Sequence, residues 1–94
     1  MNVNNTATFR EAIRTHCTRD AETFLNRVRT NPAYFPKYDA RWLDHREREL
    51  FWAFFGQSDW AGAKRVVEVT ADPGAKQDRR RRLEELSGKQ YDQI

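Results

Sequence analysis

The sequence is short of most of what betrays a chemistry. It has one cysteine, Cys17, so no internal disulfide can form, and its two histidines with that thiol cannot close a structural zinc site. Its four glycines are scattered, so no phosphate-cradling loop is present, and there is no G-x-S-x-G elbow. No window approaches the roughly 18 apolar residues of a membrane span. The opening MNVNNTATFR lacks the apolar core of a secretory signal. Together these absences predict a cytoplasmic chain in a reducing compartment, without membrane attachment, cofactor or metal. They also predict that the protein is not an enzyme.

What is present is aromatic and charged. Ninety-four residues make a single domain, and a chain of that size buries only about 60–65% of its unfolded surface. Thirteen per cent aromatics partly offsets this, since each ring buries roughly 150–250 Å². Seventeen basic residues against fourteen acidic ones leave a net charge of +3, which suits an acidic partner without requiring one.

Residues 39–56, DARWLDHRERELFWAFFG, organise the rest. In the front half Trp42, Leu43 and Leu50 share one side of a helix, with Arg41, Asp44, Arg48 and Glu49 elsewhere. The back half, residues 50–55, is apolar all round and therefore needs cover on every side. Before it, residues 1–7 read as a frayed N-terminus, and Thr8 with Glu11 as a capping box. Phe9, Ile13, Cys17, Ala21, Phe24 and Val28 then form one stripe of a long helix over residues 8–30. Asp20 interrupts that stripe. It marks either a break capped by Thr18 or Asp20, or a partly buried carboxylate seeking a cation.

Asn31-Pro32 closes the first helix, and a linker with three rings follows. Asp39 is placed to cap the central helix, with Tyr38 and Leu43 at the positions of a hydrophobic staple. Tyr34 and Phe35 read either as a lid over the core or as a contact surface. Gly56 stops the central helix, and Ser58 is placed to cap the next. There Trp60, Ala63, Val66, Val67 and Ala71 share a face, and Lys64 and Glu68 can pair. Asp72-Pro73 starts a last helix that ends near Ser87-Gly88, with Ala75, Leu83 and Leu86 as its apolar line and Arg79 on that line. Residues 89–94 are a tail.

The segment from Leu50 to Gly74, SDWAGAKRVVEVTADPG above all, resembles the second helix and closing turn of a tetratricopeptide-type hairpin. An aromatic follows the turn, a small residue comes three positions later, and a proline closes the unit. No second copy recurs at a period of about 34 residues. The resemblance implies a helical hairpin and carries no function with it.

Several constellations are candidates for chemistry. His16-Cys17 is an adjacent thiol–imidazole pair, but helical neighbours point about 100° apart. His45 and Glu49 have a metal-ligand spacing without the second histidine of the zincin pattern. Arg79 to Arg82 fan around a helix, with Arg79 expected to pair internally with Asp20 or Glu47. Arg80, Arg81, Lys76, Arg10 and Arg14, with Arg27 and Arg29 beside them, are the candidates for phosphate contact. The load of rings is the stronger signal, because an exposed aromatic patch marks an interaction site. Trp52, Phe55, Arg48, Arg41, Tyr34 and Phe35 are the interface candidates.

The expected fold is all-α: a small four-helix bundle with near-antiparallel neighbours, or five helices if the first breaks near Asp20. The expected function is stoichiometric binding to a protein partner, as an adaptor or inhibitor, with self-association as a homo-oligomer also expected. Phage-type inhibitors of bacterial defence systems are often chains of this size and blankness. The alternative is a nucleic-acid- or nucleotide-binding protein using the arginine-rich surface.

Overall fold

Five α-helices and two short 3₁₀ turns account for the chain, whose computed structural model describes residues 1–94. In order they are α1 (Thr6–Arg14), α2 (Thr18–Thr30), the turn Pro32–Tyr34, α3 (Ala40–Gly56), α4 (Trp60–Val69), α5 (Pro73–Ser87) and the turn Tyr91–Gln93. The protein is 74% helical with no strand, a small all-α bundle. Each helix packs on the next in sequence, and α1 also reaches α3.

The start of the chain differs from expectation. Asn5 caps α1: its side-chain oxygen accepts from the Thr8 amide at 2.8 Å, while Thr8 Oγ1 accepts from the Asn5 amide at 3.1 Å. Thr8 thus holds the third helical position and not the cap, and the capping box expected of Thr8 with Glu11 does not form; Glu11 pairs with Arg14 instead. Residues 1–7 are not frayed. Val3 is buried in the core, and the Trp42 indole donates to Thr6 Oγ1 at 3.1 Å.

The first helical stripe is broken at residues 15–17, upstream of Asp20. His16 adopts a left-handed conformation (φ 64°), and the amides of Cys17 and His16 donate to the carbonyls of Ala12 and Ile13. That is a Schellman closure with histidine in the place glycine usually takes. Neither Thr18 nor Asp20 caps α2; Thr18 Oγ1 instead donates to Gln57, and Asp20 accepts from the α-amino group of Met1. A second closure of the same kind ends α3. Ser58 is left-handed (φ 55°), and the amides of Asp59 and Ser58 donate to Phe54 and Phe55. Asp59, not Ser58, therefore caps α4, by accepting from the Gly62 amide.

Asp39 and Asp72 cap α3 and α5 as expected, Pro73 opens α5, and Gly88 closes it in the left-handed region. The core gathers around the second half of α3. Leu50, Phe51 and Phe54 meet Ala21, Phe24, Leu25 and Val28 of α2 and Ala63, Val66 and Val67 of α4, with Phe9 and Leu83 closing the ends. Full burial of each large side chain contributes about 1.5–3 kcal/mol. The α4 backbone comes so close that a Cβ on Gly62 would lie 2.3 Å from the Phe54 ring.

Other expectations fail locally. Leu86 is exposed: only Arg79 and Leu83 of α5 are buried, so the apolar line ends one turn before it. Lys64 does not pair with Glu68. Its ammonium donates to the carbonyls of Tyr91 and Ile94, while the Tyr91 hydroxyl donates to Glu68 at 2.6 Å. Residues 89–94 are therefore docked, with Tyr91 buried.

Candidate protein-binding surface

Beneath the surface of α3 lies a buried ionic network. Arg79, 6% exposed, donates to Asp44 Oδ1 at 2.9 Å and to Thr70 Oγ1 at 2.9 Å, and stands 3.7 Å from Glu47. Glu47, 3% exposed, accepts from Arg29 at 2.6 Å. Burial pushes the Glu47 carboxyl above its ordinary range, against the opposing pull of Arg29 and Arg79. Each charge is matched, so the network fixes α2 and α5 on α3; removing one partner would strand the other in a dry site. Arg79 does pair with Glu47, as expected, and not with Asp20. The parts played by Asp44, Thr70 and Arg29 had no short-range signature in the sequence.

The rings fall into two groups. Phe35, Tyr38 and Trp42 stand edge-on to Phe24 at 5.9–6.2 Å, and Tyr38 stacks on Trp42 at 3.9 Å. These three are structural, so Phe35 closes the core. Tyr34 does not: it is 81% exposed. The second group runs from Phe51 through Trp52 and Phe55 to Trp60, with successive centroids 5.0–5.3 Å apart. Phe51 is buried and Phe55 and Trp60 are partly covered, but Trp52 is 38% exposed. The Arg82 guanidinium lies over its ring at 5.9 Å.

Trp52 separates two hollows. One, of about 280 Å³ between α3 and α5, is lined by Arg48, Phe51, Ala75 and Arg82 among others. A wider one of about 550 Å³ is lined by Ile13, His45, Arg48 and Ala53. Arg48 borders both, and Arg41 lies further along the same side of α3. The fold thus brings Trp52, Phe55 and Arg48 together with Arg41 in line, whereas Tyr34 and Phe35 belong to the linker before α3. Arg82 and His45 join this surface without having been singled out for it. The signal for His45 was its spacing of four from Arg41 and three from Arg48.

The phosphate candidates are not gathered. Arg10 and Arg14 are on α1, and Lys76, Arg80 and Arg81 on α5, at opposite ends of the helix series. Arg14 pairs with Glu11, Arg10 approaches Glu49 at 3.9 Å, and Arg81 and Arg82 both hold Asp78. Those two guanidiniums, Arg82 foremost, keep the Asp78 carboxyl below its usual range. Arg80 lies over the Tyr91 ring at 4.4 Å and Arg27 over Phe35 at 5.9 Å. Lys76 is partly covered and makes no ion pair.

No three His, Cys, Asp or Glu side chains converge to hold a metal ion. His16 and Cys17 are used in the Schellman turn, where the thiol accepts from Thr15 Oγ1 at 3.5 Å. Glu49, four residues after His45, is engaged by Arg46 at 2.7 Å. No helix is long and apolar enough to cross a membrane. No protein-family model matches the chain, and no curated protein or solved structure is detectably similar to it.

Proposed function

We propose that the protein acts by stoichiometric binding of a protein partner, as an adaptor or inhibitor, through the face of α3 centred on Trp52. The observation that carries this reading is the partial exposure of Trp52, an indole left open on a ring cluster in which Phe51 is buried and Phe55 and Trp60 are partly covered. Tryptophan and arginine are the residue types that dominate binding hot spots, and hollows beside such an anchor admit a partner's side chains. A phage-type inhibitor of a bacterial defence system is one protein of this description, on the grounds of size alone. Self-association through the same face is the homo-oligomeric form of the proposal.

Trp52→Ala tests it. The variant keeps its helical circular dichroism and loses partner capture or self-association, by about 30-fold or more for a hot spot of about 2 kcal/mol. Loss of the helices instead would make Trp52 part of the core. Molecular mass in solution at two concentrations separates self-assembly from a foreign partner. Nucleic-acid binding is the second reading, favoured by Lys76 and Arg80, which no carboxylate neutralises. Firm, salt-dependent retention on heparin would support it, and elution at low salt would remove it.

A further inference from the structure

Arg41, His45, Arg48 and Trp52 follow one another at intervals of four, three and four along α3, and all four are exposed. At 3.6 residues per turn they fall within a sector about 60° wide, on a line about 16 Å long. None of the three basic side chains enters any ion pair of the molecule. The carboxylates that border the line are, by contrast, already engaged. Asp44 is held by Arg79, Glu49 by Arg46 and Arg10, and Asp78 by Arg81 and Arg82. The positive field of the stripe has no internal counterweight.

We infer that this stripe receives an acidic segment of a partner protein. Carboxylates of that segment meet Arg41 and Arg48, and an apolar side chain beside them seats against the open part of Trp52. The inference rests on the protein-binding reading above and supplies the chemistry of the partner. A planar guanidinium takes a carboxylate through two parallel hydrogen bonds, so isolated acidic side chains suit isolated arginines.

A nucleic acid fits the same stripe less well. Arg82 occupies a face of the Trp52 ring, and Phe51 and Phe55 pack against it, which closes much of the stacking platform a base requires.

The experiment is selection of a displayed random-peptide library on the full chain. Affinities of the enriched peptides are then measured for the wild type, Trp52→Ala and the double variant Arg41→Gln with Arg48→Gln, at low and high salt. A single-stranded oligonucleotide serves as a parallel probe. The expected peptides carry at least two Asp or Glu with a large apolar residue. The double variant weakens them about tenfold or more at low salt, and the difference narrows at high salt.

Peptides that need Trp52 but bind the double variant as well as the wild type overturn the acidic partner and leave the protein-binding face standing. If no enriched peptide depends on Trp52, or the oligonucleotide binds more tightly and through the same arginines, both readings fall. Arg41 and Arg48 have no partner within the chain, so the double variant keeps its fold and decides the question even if Trp52→Ala unfolds.

Discussion

Gly62 lies where α4 crosses α3, directly above the ring of Phe54. A methyl group there would stand 2.3, 2.5 and 2.7 Å from Phe54 Cδ1, Cε1 and Cγ. Carbon atoms rest about 3.5–4.0 Å apart, so ring or helix must yield by about 1 Å or more. Phe54 has no free side to yield into: it is 0% exposed, with the Arg65 guanidinium 5.6 Å from its centroid. Alanine gains about 1 kcal/mol of helix propensity over glycine. Overpacking of a closed core costs about 1–3 kcal/mol, and a contact this short belongs at the upper end. Gly62→Ala is therefore expected to lose about 1–2 kcal/mol net, which for a domain of this size lowers Tm by about 5–15 °C. Gly56→Ala is the control, since a Cβ there meets nothing within 4 Å, and its expected change is zero to a gain of about 1 kcal/mol. Thermal and urea melts followed by circular dichroism measure both. The penalty at Gly62 should shrink in a Phe54→Leu background, because the two sites share one contact. A Gly62→Ala protein melting at or above the wild type would refute the close approach of α4 to α3.

Glu47 gives a pH dependence of definite sign. Its carboxyl is raised above the ordinary 4.5 by burial, so the folded chain keeps a proton over an interval in which the unfolded chain has released it. Its contribution is fully present below the unfolded value and is lost as pH rises through the folded one. Glu47→Gln should flatten that part of the stability–pH curve from urea melts, and an unchanged slope would count against it. Arg80→Ala with Arg81→Ala should cost less than about 1 kcal/mol, since one side chain lies over a ring and the other pairs at the surface; a larger fall in Tm would mean that they hold the tail. His16→Gly and Ser58→Gly should each raise stability by up to about 1 kcal/mol by relieving a left-handed backbone, and a lower Tm for both would show that their side chains are needed there.

The helices themselves were legible where their ends are written in local chemistry. Asp39, Asp72, Pro73 and Gly88 each act through a neighbour within a few residues, so α3 starts, and α5 starts and stops, as those residues indicate. The break before α2 was not legible in place, because His16 turns the chain without glycine and the apolar stripe runs straight across residues 15–17; the turn after α3 was hidden in the same way, with Ser58 in the left-handed position. Val3 was hidden for another reason: one apolar residue in a polar run has no period. The Glu47–Arg79–Asp44–Arg29 network joins three helices, and charged residues in an amphipathic pattern look alike whether they face water or one another. The surplus of rings was readable from composition. Which of them stays open was not, because it depends on contacts between distant segments: Tyr38 and Phe35 fold back on Phe24, whereas Trp52 has only Phe51 and Phe55 of its own helix as ring neighbours.

The molecule measures 37 by 28 by 16 Å along its principal axes. Helices with their side chains are about 10–12 Å across, so the shortest dimension has little depth to spare. Trp52 bears on Phe51 and Phe55, and Phe55 bears in turn on Trp60 at the start of α4. Pressure applied at one broad surface is thus relayed to the next helix through two aromatic side chains. A guest settled on Trp52 would damp the motions of α4 as well as α3, and slower amide exchange would spread well outside its own footprint.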